Sequence, residues 1–385
     1  MSIRRHRRPG ALLLAALLAG GAAPGALRAQ AAVPALKDAF RGAFLVGAAL
    51  NPDQFEGRDS QAVVLIRKHF NTTTPENVLK WERVHPLPGK YDFAAPDRYV
   101  AFGQKNGMKV IGHTLVWHAQ TPRWVFQDSA GQPVSRDTLL SRMRAHIFTV
   151  VGRYKGRIKG WDVVNEALNE DGTLRASPWL KIIGPEYVAD AFRFAHDADP
   201  AAELYYNDYS LENASKRAGA VKLVKELRAQ GIPVSGIGTQ GHYKMDWPSV
   251  AAVDSTIAAF AALGVKVMIT ELDLDVLPPA SMYRGADVNM TVARRDSANP
   301  YVKGLPDAQQ QALARRYAEL FGVFMKYRGT VSRVTFWGVS DRDSWLNDWP
   351  MRGRTAYPLL FDRERQPKPA FFAVVRAAGE RAVHR

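Results

Sequence analysis

The feature that most constrains this chain is a repeated alternation of short apolar or β-branched runs with longer stretches of helical periodicity. The candidate strands are Phe44–Leu50, Phe70–Thr74, Lys109–His113, Ile158–Val164, Ala202–Asn207, Gly236–Gln240, Val265–Glu271 and Val334–Gly338. Between them apolar residues recur at three- and four-residue spacing, the signature of a helix with one buried face. In Leu211–Gln230 the row is Ala220-Val221, Val224 and Leu227, closed by Gly231 where a left-handed cap belongs. Leu139–Tyr154, Val250–Leu263 and Ala308–Tyr327 repeat the pattern, the last with Asp307 as the expected N-cap and Gln310 three residues on. Strand-then-helix repeated eight times, with no composition break or Ser/Pro linker, predicts an α/β chain folded as a single (β/α)8 TIM barrel. An open doubly wound sheet often carries a Gly-rich phosphate loop after its first strand, and Gly47-Ala48-Ala49-Leu50-Asn51 does not supply one. The segment Leu277–Gly304, rich in Pro, Ser and Asn, reads as a long loop after the seventh strand, at the barrel end where loops build sites.

Ahead of the first strand lies a different kind of segment. Arg4, Arg5, Arg7 and Arg8 precede the apolar run Ala11–Ala19, and Ala29-Gln30-Ala31 offers a small-x-small cleavage point. The apolar run is far shorter than the roughly 20 residues that span a bilayer, so residues 1–31 are expected to be a signal peptide. The expectation for 32–385 is a catalytic barrel exported to the periplasm or the medium as a monomer, with no membrane contact once the signal is removed. The leader carries five of the fifteen net positive charges. The remaining basic residues are scattered (Lys216, Arg217, Lys222, Lys225, Arg228) apart from a loose cluster of Arg352, Arg354, Arg363, Arg365 and Lys368. Such a distribution reads as solvated faces, and no nucleic-acid partner is expected. The chain has no cysteine, which excludes a thiolate nucleophile, a disulfide framework and any Cys-ligated metal.

Polar and aromatic residues gather at the C-terminal ends of the expected strands: Glu76-Asn77 and Lys80-Trp81, His113 through Trp117-His118, Asn165-Glu166, Asn207-Asp208, Gln240 and His242, Glu271 and Asp273, Trp337 and Trp345. In a barrel these ends converge on the catalytic face. Glu166 ends the run WDVVN and Glu271 ends VKVMIT. Burying a carboxylate there is costly unless it has partners or a chemical use. Two glutamates in one cleft suit glycoside hydrolysis, which needs one carboxyl protonated and the other ionised. Trp117, Trp124, Trp337 and Trp345 offer flat surfaces for sugar C–H faces, and His113, Gln120, Asn165 and Gln240 offer hydroxyl partners. Trp161, inside the fourth strand, reads as structural. The histidines form neither H-E-x-x-H nor H-x-H, and Asn51 ends the first strand, so neither a metal nor any other cofactor is expected.

The stretches TTPENVLKWE (73–82), GHTLVWH (112–118), WDVVNEA (161–167), YNDY (206–209), GIGTQGHY (236–243), ITELD (269–273) and TFWGVSDRDSWL (335–346) resemble the family 10 glycoside hydrolases. Members of that family are mostly retaining endo-1,4-β-xylanases. The resemblance implies a xylanase acting on xylan and xylo-oligosaccharides, with Glu166 as general acid/base and Glu271 as nucleophile. It implies that Asn165 bonds the sugar 2-hydroxyl, that His242 bonds Glu271, and that Asp273 orients the imidazole. His113, Trp117 and Gln240 would line the cleavage position. Glu76, Asn77, Lys80 and Gln120 would hold glycone hydroxyls between the stacking walls Trp337 and Trp345. A β-1,4-glucanase or broader β-glycanase on the same scaffold is the alternative, decided by the room available for a hydroxymethyl group. Ser210, where the family often has Asn, is expected in a surface turn. Retention would place the two carboxyls about 5–5.5 Å apart, with ionised Glu271 raising the pKa of Glu166.

Overall fold

In the computed structural model the described residues are 1–2, 33–282 and 285–379. The expected signal peptide falls almost wholly outside them. By its contacts the chain divides into two units, Met1–Val33 and Pro34–Arg385, and the second holds the strands and helices described. Among the described residues no helix is long and apolar enough to cross a membrane.

Nine strands run parallel: β1 (Leu45–Leu50), β2 (Thr72–Pro75), β3 (Lys109–Trp117), β4 (Gly160–Asn165), β5 (Glu203–Asp208), β6 (Gly236–Thr239), β7 (His242–Lys244), β8 (Lys266–Asp275) and β9 (Val331–Phe336). β1 pairs with both β2 and β9, and β6 pairs with β8, so eight strands close into a ring. The short β7 lies beyond it, pairing His242 with Asp273 on an extension of β8. All eight ring strands coincide with the expected runs, shifted by a few residues. The helices do likewise, including Arg136–Arg153, Ala214–Ala229, Val250–Ala261 and Asp307–Lys326.

Local chemistry explains several of these boundaries. Ala214–Ala229 ends on Gly231 at φ +72°, with Ile232 N–H donating to Leu227 O and Gly231 N–H to Arg228 O, the paired bonds of a Schellman cap. Asp307 is not the N-cap of its helix. Pro306 holds that place, and Asp307 sits in the first turn, where its charge favours the helix dipole. Asn51 caps the turn Pro52–Phe55 in a reciprocal box with Gln54. Inside the ring, a Cβ on Gly112 would lie 2.1 Å from the Trp161 ring, so the glycine in β3 is required by the tryptophan in β4. Trp161 is wholly buried and structural, as expected.

The basic residues depart from the solvated-face expectation. Lys216 is fully buried against Asp208, Lys368 against Asp341 (2.8 Å) and Arg354 against Asp275 (3.2 Å), while Arg365 pairs with Asp59. Each cation found an acid on a different element, which local charge spacing does not reveal. The long loop after β8 is held against the loop after β9. Val292 N–H donates to Pro350 O, Arg354 to Pro278 O, Thr355 N–H to Asn299 Oδ1 and Tyr357 to Tyr301 O. Ala280, Ala298 and Met351 pack together beneath it.

Candidate active site

The barrel mouth holds a cavity of about 210 Å3. Its walls are Glu76, Asn77, Lys80, His113, Trp117, Gln120, Asn165, Glu166, Gln240, His242, Glu271, Trp337 and Trp345, joined by Ala286 and Val288 from the loop after β8. Of the residues expected to touch substrate, all but Trp124 are therefore brought to one place, and Asp273 stands directly behind, bonded to His242. Trp124 lies outside the cavity. Its indole donates to Pro86 O, and its ring sits edge-on to Trp81 and His85. His118 points away from the cavity toward the surroundings of Arg175 and Asp287.

Glu166 is the first residue past β4 and adopts φ +56°, with its N–H held by Asn207 O at 2.9 Å. A left-handed glutamate is a strained position, kept because the barrel around it dictates the turn. Gln120 (φ 45°) shares this conformation. The Glu166 carboxyl receives three hydrogen bonds: Trp117 Nε1 at 2.9 Å, Gln240 Nε2 at 2.9 Å and Asn165 Nδ2 at 3.2 Å. Burial nonetheless dominates, and the neighbouring charge of Asp208 adds to it. Together with a smaller push from Glu271 they raise the Glu166 pKa to about 7. The sequence reading assigned that elevation to Glu271 alone. The larger contributors are the dry setting and Asp208.

Glu271, on β8, is equally buried but differently partnered. Burial works against its charge, yet the hydrogen bond from His242, the nearby imidazoles and Asn207 outweigh it and hold its carboxyl below the usual carboxylate range. His242 Nε2 lies 3.2 Å from Glu271 and its Nδ1 3.0 Å from Asp273. Burial opposes a charge on that imidazole, but the two carboxylates overcome it and push its pKa up to about 10. Trp345 Nε1 donates to Asp273 at 2.7 Å, tying the stacking wall to the same triad. His113 is anchored by Asp162 at 3.0 Å. Lys80 donates to Asn77 (3.0 Å) and Gln120 (2.8 Å), and burial lowers its pKa against the pull of Glu271, Glu76 and Glu166.

Asn207, Asp208 and Lys216 were not among the expected site residues. Asn207 Nδ2 donates to Glu271 Oε1 at 2.8 Å and to Asn165 Oδ1 at 2.9 Å, and its own carbonyl accepts from Thr270. It thereby joins the two glutamates through a bridge of amides. Asp208 lies behind Glu166, gripped by Lys216 at 3.1 Å and Tyr206 at 2.5 Å. The YNDY run was visible in the sequence, and its place at a strand end was the available signal for Asn207. Nothing local marked Lys216. Ser210 is buried at φ +54° and not in a surface turn. That conformation suits Asn better than most residues.

Two buried carboxyls, one favouring its proton and one its charge, around a sugar-sized space can deliver a proton to a leaving oxygen and an anion to the opposite face of the same carbon. Among the described residues no group of three His, Asp or Glu is arranged to hold a metal ion.

The profile of Glycosyl hydrolase family 10 matches residues 35–377. Endo-1,4-beta-xylanase A of Xylanibacter ruminicola is 45% identical over 343 residues, which cover 89% of this chain and 93% of that protein. Beta-1,4-xylanase of Dictyoglomus thermophilum is 45% identical over 349 residues, covering 89% and 91%. Among solved structures, a GH10 endoxylanase retrieved from a sugarcane soil metagenome superposes with a TM-score of 0.86 at 43% identity, covering 89% of this chain and 99% of the other.

Proposed function

The chain belongs to glycosyl hydrolase family 10, and from that membership we propose that it is an endo-1,4-β-xylanase cleaving β-1,4-xylosidic bonds with retention. The observation that carries this reading is the opposed protonation of two glutamates on one cavity: Glu166 with its pKa near 7, Glu271 held ionised.

Glu271 attacks the anomeric carbon while Glu166 gives its proton to the departing oxygen, leaving a glycosyl ester on Glu271. Esterification removes the Glu271 charge, so Glu166 becomes more acidic. It then draws a proton from water, which hydrolyses the ester. Asn207 and His242 keep Glu271 charged and fixed in direction. Trp117 and Gln240 hold the Glu166 carboxyl in place. Lys80, Asn77, Gln120 and Glu76 form a preset network for glycone hydroxyls. Trp345, locked to Asp273 by its indole N–H, supplies a stacking wall for a sugar face. The leader described above supports export of the chain to the periplasm or the medium.

Proton NMR of a xylohexaose digest reads bond type and anomeric outcome together. The expected result is β-anomeric product at early times from cleavage of β-1,4 bonds. Initial α-product, or faster cleavage of cello-oligosaccharides than of xylo-oligosaccharides, would overturn the assignment.

A further inference from the structure

The loop after β8 does more than border the cavity. Around the ring the strands run β1, β2, β3, β4, β5, β6, β8, β9, so β4 and β9 stand opposite each other, with three strands between them on either side. Asp287 reaches both. Its carbonyl accepts from the Trp349 indole at 3.1 Å, in the loop after β9, and its carboxylate lies 3.7 Å from the guanidinium of Arg175, in the loop after β4. Arg175 in turn donates to Glu166 O at 3.1 Å and to the Tyr209 hydroxyl at 2.8 Å. Residues 286–288 therefore cross the mouth of the barrel as a strap. On one side of it lie the ends of β1, β2 and β3 with Glu76, Asn77, Lys80 and Gln120. On the other lie the ends of β5, β6 and β8.

We propose that this strap limits how many sugar units can lie beyond the scissile bond, so that the enzyme favours leaving groups of one or two units. The inference rests on the xylanase reading above. The acid must face the leaving oxygen, so the leaving group passes Glu166 and moves away from the hydroxyl network of β2 and β3. That course runs beneath the strap. Ala286 is buried and Val288 stands beside it on the cavity wall, and neither side chain offers a donor or acceptor to a sugar hydroxyl. The strap is also fixed, through Val292, Asn299 and Tyr301, to the loop after β9, so displacing it breaks several hydrogen bonds.

The test is the bond-cleavage pattern of xylohexaose labelled with 18O at its reducing end, read by mass spectrometry. The wild-type enzyme should cut the two bonds nearest the reducing end over the central bond by at least about fivefold, roughly 1 kcal/mol of discrimination. Asp287→Ala releases the crossing from Arg175, and it should move cleavage toward the central bond while leaving the rate on an aryl β-xylobioside within about twofold. A second variant, with residues 285–291 replaced by a short Gly/Ser linker, should move it further. Equal use of central and terminal bonds by the wild-type enzyme overturns the proposal, whether or not either variant folds. So does a pattern that both folded variants leave unchanged. Failure of the folded wild-type enzyme to cleave any xylo-oligosaccharide overturns instead the xylanase reading on which the proposal stands.

Discussion

Glu166 and Glu271 occupy one cavity, are buried to the same degree and each accept several hydrogen bonds, yet they hold their protons in opposite ways. Around Glu166 the donors are an indole and two amides, all neutral, and the charge that most raises its pKa is the anion Asp208. Around Glu271 the decisive donor is an imidazole that its two carboxylate neighbours keep protonated. The contrast teaches that hydrogen-bond number does not assign acid and nucleophile. The ions around each carboxyl do so, Asp208 for one and protonated His242 for the other, because in a dry site a single ion outweighs several dipoles.

The largest expected effect breaks the comparison outright. Glu271→Ala and Glu166→Ala should each lower kcat on xylan by roughly 10^3-fold or more. On an aryl xylobioside with a good leaving group, which needs no proton to depart, glycosyl-ester formation should suffer far less in Glu166→Ala than in Glu271→Ala. Steady-state and burst kinetics on both substrates check this, and equal losses on both would erase the distinction between the two residues.

A second prediction separates protonation of Glu271 from loss of the fold in acid. His85 and His146 stack in the core beside Trp81, in the helix that follows Lys80, with ring nitrogens 3.2 Å apart. Burial lowers the His85 pKa from 6.5 to about 4 and places that of His146 well below its ordinary value. The unfolded chain therefore binds more protons than the folded one between about pH 6.5 and 4. Stability is complete above that window and falls as pH drops through it. Thermal unfolding at pH 7 and pH 4 should show the drop, and a His85→Phe/His146→Phe variant that folds should show a shallower one. An equal pH slope in that variant would place the acid sensitivity elsewhere.

The smallest expected effect sharpens the comparison. Asp208→Asn removes an anion that raises the Glu166 pKa, so the alkaline limb of kcat/KM, set by loss of the Glu166 proton near pH 7, should move toward acid. The acid limb, set by Glu271, should stay in place. Because the change leaves the buried Lys216 with Glu170 as its remaining acid, Asp208→Asn/Lys216→Met is the cleaner variant, and its pH profile should show the same one-sided movement. A shift of both limbs would mean that Asp208 acts on the whole cavity and not on Glu166 alone.

The ring of strands was legible because period and spacing are local properties: FLVGAAL, KVIGH and VKVMITE declare themselves without neighbours. The catalytic set was legible for a related reason. A barrel sends the ends of all its strands to one face, so Glu166, Glu271, His113, Gln240 and Trp337 needed only the strand assignment to be gathered. What escaped were facts of proximity between separate elements, near or far along the chain. Lys216 looked like one more cation on a helix, and Arg354, Arg365 and Lys368 like a surface cluster, until acids from other elements closed on them. Asp307 had the residue type of a cap but not the backbone place, and Ser210 was taken for a surface residue although it is enclosed.

By itself, then, the sequence determined the (β/α)8 topology, the face on which the chemistry sits and the identity of the groups that gather there. The tertiary structure alone decided what keeps Glu166 protonated and Glu271 charged, which cations are interior, and that a strap from one loop lies across the mouth. The physical reason is range. Secondary structure answers to residues three or four positions away, whereas proton affinity and access answer to whatever lies within a few ångströms in space.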